Sequence, residues 1–185
     1  SADPVVLAYQ VLHPTTARDI WVLPLRPGAE PVALLATKDH DFAPRLSPDA
    51  RWLAFTSDRS GSDEVYVIGC RPCRPDLDLP ETPVRVSVNG GTAPVWRADG
   101  AELFYLESDR MMSVDVESRA GLSVSHPRVL FEGDFVPDQF GNPNYDVTAD
   151  GTRFVMIRSP DRARTRFRIN VVLNWHRTLR GLSTR

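Results

Sequence analysis

Hydrophobic residues occur along this chain in short, strand-sized runs that are separated by turn-forming residues. In the stretch Phe42–Ile68, the runs Arg51–Thr56 and Glu64–Ile68 follow the turn residues Ser47-Pro48-Asp49 and Asp58–Ser62. Proline presets φ at the second position of a turn, and Ser and Asp side chains bond nearby backbone N–H groups. The pattern therefore predicts three short strands joined by two tight turns.

The same pattern returns at Pro94–Leu106 and at Asn144–Ile157, with the turn aspartates about 50 residues apart. A small residue follows each aspartate, and a hydrophobic strand begins two positions later. A period of about 50 residues with several strands per unit is typical of β-propeller blades. We predict a set of structural turn residues: Pro48, Asp49, Asp99, Gly100, Asp150 and Gly151.

Several strand patterns flank these units and complete the predicted fold. We predict strands at Pro31–Ala36, Pro83–Val88, Leu122–Phe131 and Arg168–Leu173, whereas the proline-rich residues 70–82 have no strand pattern. The prediction is an all-β fold, a partial propeller of about three and a half four-stranded antiparallel blades. The predicted blades span residues 1–175: a half blade 1–25, then 26–70, 83–118 and 122–175, followed by a C-terminal tail 176–185.

One of the three turns departs from the pattern. A type I turn that continues into a left-handed residue favours glycine at that position, and Gly100 and Gly151 fit. Ala50 stands at the same place in the first copy. We expect strain at Ala50 if its φ is positive, and we expect Ala50→Gly to be neutral or stabilising.

Composition adds little that points to a function. The chain has 185 residues, 42% of them hydrophobic, and a net charge of -2, and no apolar run approaches the roughly 18 residues of a membrane span. Residues 151–185 contain nine arginines and one acidic residue, Asp161. The arginine cluster 158–168 could contact nucleic acid, but its position between two strand patterns favours a solvated hairpin, so nucleic acid is an unlikely partner.

Candidate chemistry is sparse. Cys70 and Cys73 form a single C-x-x-C pair, for which an unbonded loop is favoured over a local disulfide, and a zinc site lacks further ligands. His40 lies between Asp39 and Asp41, and Asp58–Asp63 is acidic, but solvated turns explain both stretches. The four tryptophans lie in or near strands and are predicted to form the core between blades. We expect no catalytic residue, no metal and no cofactor.

The stretch Pro44–Ile68 resembles the WD40-like propeller repeat of the TolB type. That repeat has a Pro-x-Trp-Ser-Pro-Asp-Gly turn, a Leu-Ala-Phe strand and an Ile-Tyr-Val strand. Pro94–Gly100 and Tyr145–Gly151 are looser copies, and Leu46 and Ala50 depart from the pattern. The ending Ile169–Trp175 resembles the C-terminal propeller region of bacterial serine/threonine kinases or regulators.

The resemblance implies an interaction or ligand-sensing module, not an enzyme, forming the C-terminal part of a larger bacterial signalling protein. A protein or small ligand would bind at the propeller loops or channel, on the extracytoplasmic (periplasmic) side of the membrane; otherwise the protein is cytoplasmic. Two alternatives stay open: the accessory propeller of a prolyl-oligopeptidase-like serine peptidase, and a TolB-like periplasmic scaffold. Because an unclosed propeller leaves bare strand edges, we expect the missing blades N-terminal to Ser1.

Overall fold

The described part of the chain consists entirely of strands and turns. The computed structural model describes residues 5–118, 121–136 and 143–157, which contain no α-helix. The strands are β1 (Val6–His13), β2 (Ala17–Pro24), β3 (Val32–Leu35), β4 (Asp41–Leu46), β5 (Trp52–Ser57), β6 (Glu64–Gly69), β7 (Val84–Arg85), β8 (Thr92–Trp96), β9 (Glu102–Glu107), β10 (Arg110–Glu117), β11 (Ser123–Val124), β12 (Arg128–Glu132), β13 (Tyr145–Val147) and β14 (Phe154–Met156).

The strands form four successive antiparallel sheets, which we call blades 1 to 4. Blade 1 has the order β1-β2-β3, and blade 2 has the order β4-β5-β6-β7. Blade 3 has the order β8-β9-β10-β11, with β12 also paired to β10, and blade 4 contains the pair β13-β14. Blades 1 and 2 are meanders of consecutive strands, as the repeat predicted, whereas in blade 3 both β11 and β12 pair with β10.

The hydrophobic core lies largely between blades, because a small sheet must bury both of its faces. All six residues of β5 and all six of β6 are buried. Trp52 of blade 2 packs in one cluster with Trp96 and Tyr105 of blade 3. Trp52 and Trp96 thus occupy the predicted core, whereas Trp21 is only half-buried and Trp175 lies outside the described residues.

A repeated kink marks the beginning of each inner strand in blades 2 and 3. Ala43 and Ala93 have φ of 53° and 56°, and the strand register shifts at both places. A positive φ in a β-bulge turns the strand and leaves one N–H without a ladder partner. That N–H donates across the blade boundary, from Ala43 to Gln10 Oε1 at 3.1 Å and from Ala93 to Thr56 Oγ1 at 3.3 Å.

The structure differs from the sequence prediction mainly in the outer strands. The strand predicted over Pro83–Val88 is reduced to Val84–Arg85, because Val86 N–H and Ser87 N–H both bond to the Val65 carbonyl outside the regular ladder. The outer strand predicted over Leu122–Phe131 is divided into β11 and β12 on either side of Pro127. The predicted strand Arg168–Leu173, the tail 176–185 and the arginine cluster 158–168 lie outside the described residues.

Candidate functional site

Three inner strands bring equivalent positions of the repeat to one side of the blades. Arg45 pairs with Ala54, Val95 with Phe104 and Asp146 with Val155, so the three residues hold the same register position in blades 2, 3 and 4. Each stands two residues before the first residue of its turn. The repeat therefore places a cation, an apolar residue and an anion at corresponding points of neighbouring blades.

Aromatic hydrogen bonds tie these inner strands together. Trp96 Nε1–H donates to the Arg45 carbonyl at 3.0 Å, which joins blade 3 to blade 2. The Tyr145 hydroxyl donates to the Ala93 carbonyl at 2.7 Å, which joins blade 4 to blade 3. Burial raises the pKa of Tyr145, with the nearby Arg45 guanidinium acting in the opposite direction, so the phenol stays a neutral donor.

A cleft of about 740 Å³ lies beside these strands. Its lining includes the three equivalent residues Arg45, Val95 and Asp146, Pro48 of the first turn, and aromatic and apolar side chains, among them Tyr145 and Val155. A concave, mostly apolar site with a few polar groups is the usual form of a ligand-binding site.

The charged groups of the cleft are not neutralised by the described part of the chain. Arg45 and Asp146 are both exposed, and neither forms an ion pair with a described residue. Asp146 Oδ1 only accepts the N–H of its neighbour Val147, at 2.9 Å. Most other arginines of the described residues are paired; for example, Arg97 binds Asp99 and Glu102.

The three turn aspartates share one hydrogen-bonding pattern. Asp49 Oδ1 accepts the Arg51 N–H at 3.1 Å, Asp99 Oδ1 the Ala101 N–H at 3.0 Å, and Asp150 Oδ1 the Thr152 N–H at 3.0 Å. In each turn the following residue has a positive φ: 55° at Ala50, 72° at Gly100 and 75° at Gly151. These aspartates therefore terminate turns and hold the paired strands in register.

The turns also contact their neighbours, which explains part of their composition. Pro48 lines the cleft, and a Cβ added to Gly100 would come within 3.5 Å of its ring. A Cβ on Gly151 would lie 2.7 Å from Arg97 Cδ. Successive turns are thus close to one another, and Gly151 has less room than Gly100.

A buried ion pair that the sequence interpretation missed lies at the opposite end of blade 2. Asp41 is fully buried and accepts hydrogen bonds from Arg59 Nη2 at 2.9 Å and Thr37 Oγ1 at 3.0 Å. The Arg59 guanidinium lies about 5 Å from the ring centres of Phe55 and Tyr66. Asp41 is therefore not the solvated loop residue that its polar neighbours indicated. The described residues contain no cluster of three or more potential metal ligands.

Cys70 and Cys73 form a disulfide, so the favoured prediction of an unbonded loop is wrong. Both cysteines are buried against blade 2, where Cys70 N–H donates to the Arg51 carbonyl at 2.8 Å. A tight turn brings them together, since Cys73 N–H donates to the Cys70 carbonyl at 3.1 Å. The sequence spacing alone could not distinguish this bond from two free thiols.

No protein-family model matches the chain, and no curated protein is similar to it in sequence. A solved protein assigned as TolB from Agrobacterium tumefaciens is similar in structure, with a TM-score of 0.56 and 17% identity, over 83% of this chain and 55% of that one. TolB from Acinetobacter baumannii has a TM-score of 0.50 and 13% identity, over 85% and 48%. The periplasmic gluconolactonase of Pseudomonas aeruginosa has 0.49 and 19%, over 80% and 45%.

This chain has a TolB-like β-propeller fold. The comparison confirms the all-β partial propeller that the sequence predicted. The chain spans about half the length of the solved structures it resembles. No helix in the described part of the propeller is long and apolar enough to cross a membrane.

The expectation that the chain is not an enzyme needs correction. Two of the similar structures, with TM-scores of 0.49 and 0.47, are named as a gluconolactonase and a putative 6-phosphogluconolactonase. The missing G-x-S-x-G motif excludes only one type of serine hydrolase, and a fold by itself does not define an activity. The strand pattern therefore gave no basis for the expectation of a non-enzyme.

The sequence interpretation also missed the cleft. It identified residues that recur with the same chemistry in every copy, whereas Arg45, Val95 and Asp146 differ from copy to copy. A usable signal was present, because each of these residues lies at a fixed distance before its turn. Aligning the copies by their turns brings the three positions together.

Proposed function

We propose that this propeller is an interaction module that binds a protein segment, or a small ligand, in the cleft beside its inner strands. The supporting observation is the set Arg45, Val95 and Asp146, which occupy one register position in three blades yet differ completely in charge. Positions that only maintain a repeat tend to keep similar chemistry, as the turn aspartates do. Divergence beside a cleft therefore favours ligand binding.

An extracytoplasmic location and a place in a larger bacterial signalling protein are part of the same proposal. The Cys70–Cys73 disulfide supports the location, since disulfides persist in the periplasm and in secreted proteins and are rare in the cytosol. The proposed signalling role follows from the resemblance of the chain ending to the propeller regions of bacterial regulators.

Site-specific photo-cross-linking tests the proposed function. A benzoylphenylalanine at Val155, which lines the cleft and is 75% exposed, is compared with one at Val129, an exposed residue of outer strand β12. The full-length protein is irradiated in its bacterial host, and the intact mass of each adduct distinguishes a protein partner from a small ligand. We expect an adduct from position 155 only. Equal adducts from both positions, or none from position 155, would contradict the proposal.

A further inference from the structure

The connection between β7 and β8 carries a reactive dipeptide, Asn89-Gly90, that the proposed function does not use. The side chain of Asn89 is exposed and forms no hydrogen bond to another described residue. Asparagine loses its side-chain ammonia most readily when glycine follows it, because glycine has no Cβ to hinder the approach of its backbone nitrogen to the side-chain carbonyl. An accessible amide and an unhindered neighbouring nitrogen therefore meet at this turn.

The fold holds the backbone nitrogen that such a reaction needs. Gly90 N–H donates to Glu64 Oε1 at 3.1 Å, and Glu64 is only 4% exposed. The next residue is held as well, since Gly91 N–H donates to the Asp63 carbonyl at 2.9 Å. A hydrogen bond to a carboxylate is stronger than one between neutral groups. It therefore opposes removal of the proton that the Gly90 nitrogen must lose before it can attack a carbonyl carbon.

Glu64 is itself fixed within blade 2. Its other oxygen, Oε2, accepts the Ser87 hydroxyl hydrogen, and the Ser87 oxygen accepts the Val65 N–H at 2.7 Å. No arginine or lysine of the described residues forms an ion pair with Glu64. The buried carboxylate therefore depends on N–H and O–H donors, one of which belongs to the residue that follows Asn89.

We propose that Asn89 is a site of spontaneous deamidation and that the hydrogen bond between Gly90 and Glu64 sets its rate. The deprotonated Gly90 nitrogen bonds to Cγ of Asn89, the Cγ–Nδ2 bond breaks, and the amide nitrogen takes up the proton and leaves as ammonia. Water then opens the cyclic imide at either carbonyl carbon, which gives aspartate or isoaspartate. Isoaspartate adds a backbone carbon before Gly90, so that the Gly90 N–H moves away from Glu64.

A comparison of folded and unfolded protein tests both the site and its protection. Trypsin cleaves after Arg85 and Arg97, and the peptide 86–97 contains Asn89 as its only side-chain amide. Mass spectrometry of this peptide follows the exchange of NH for O in protein kept in buffer and in urea, and an isoaspartyl methyltransferase assay identifies isoaspartate. We expect conversion in both samples. It should be roughly ten- to a hundredfold slower in buffer, which is the effect of one hydrogen bond to a charged group.

Glu64→Gln assigns the protection to the carboxylate. This variant keeps an acceptor but removes the charge, so the folded variant should convert severalfold faster than the wild type. Glu117→Gln, at an exposed glutamate of β10, controls for the loss of a negative charge. Thr56→Val removes a different hydrogen bond of blade 2 and controls for a general loss of stability. Both controls should convert at the wild-type rate in buffer, and all four proteins should convert equally in urea.

The site and its protection can fail separately. No conversion in buffer after about a hundred half-times of the reaction in urea would overturn the site. Equal rates in buffer and in urea, or an unchanged rate in folded Glu64→Gln, would overturn the protection. Rapid hydrogen exchange at the Gly90 amide of the wild type would do the same, even if Glu64→Gln does not fold. These outcomes are independent of the cross-link from position 155, which tests the proposed function.

Discussion

The Thr56 hydroxyl oxygen accepts the Ala93 backbone N–H at 3.3 Å across the boundary between blades 2 and 3. Thr56 is fully buried, so this acceptor satisfies an N–H that the bulge at Ala93 removes from its own sheet. Gln10 serves Ala43 in the same way across the boundary between blades 1 and 2. The blades are therefore joined by directed backbone contacts as well as by apolar packing.

Thr56→Val should destabilise the fold because valine has nearly the same shape but no acceptor. The buried Ala93 N–H would then lack a partner, which costs about 1–3 kcal/mol. Thr82→Val is the matched control, because Thr82 is exposed and its hydroxyl makes no hydrogen bond to another described residue. Urea unfolding of both variants measures the difference, and equal stability of the two variants would argue against a stabilising role of the Ala93–Thr56 hydrogen bond.

Ala50 and Gly100 occupy equivalent turn positions with φ of 55° and 72°. Ala50→Gly should raise the free energy of unfolding by less than about 1 kcal/mol, because glycine adopts a positive φ without steric cost, while the loss of the buried Ala50 methyl offsets part of the gain. Gly100→Ala should lower the free energy of unfolding by a similar amount, because alanine is strained at a positive φ. The added Cβ causes no further loss, because it would lie 3.5 Å from Pro48, an ordinary contact distance. Thermal unfolding of both variants checks the opposite signs; a shift in the same direction would contradict this account.

The turns and the period were predictable because they depend on local chemistry. Proline, aspartate and glycine are required at fixed places by the backbone conformation, so their spacing remains visible in the sequence. The bulges at Ala43 and Ala93 were less visible, although the dipeptide Ala-Pro recurs at both. Alanine has no preference for a positive φ, so only the structure reveals that conformation.

The cleft and the disulfide were harder to predict for a different reason. The repeat gives Arg45 and Asp146 equivalent positions, but only the arrangement of the blades shows that a cleft lies beside both. Asp41 likewise looked solvated, because its partner Arg59 comes 18 residues later. For Cys70 and Cys73 the spacing allowed either state, and the turn between them decided it.

The Asp99 turn should contribute stability that depends on pH. The Arg97 guanidinium, together with the Ala101 N–H, lowers the pKa of Asp99 from 3.8 to about 2. A carboxylate with a depressed folded-state pKa stabilises the fold above about pH 4, and this contribution is lost as the pH falls toward 2. Asp99→Asn keeps an acceptor for the Ala101 N–H but removes the charge.

The wild type should therefore be more stable than Asp99→Asn at pH 6, and the difference should shrink as the pH falls from about 4 to about 2. Urea unfolding at several pH values measures it. Asp109→Asn, at the exposed end of the β9–β10 turn, serves as the control for a general loss of negative charge. A difference between wild type and Asp99→Asn that stays constant over this range would refute the assignment.

The disulfide should stabilise blade 2 only modestly, because it closes a loop of four residues. The chain-entropy relation gives about 2 kcal/mol for so short a loop. The free energy of unfolding of the variant Cys70→Ala/Cys73→Ala should therefore be lower by at least about 2 kcal/mol. The loss of two buried sulfur atoms adds to this effect. Thermal unfolding with and without a phosphine reductant provides the measurement. The reductant should lower the midpoint of the wild type and leave that of the double variant unchanged, whereas equal shifts in both proteins would show that the bond does not contribute.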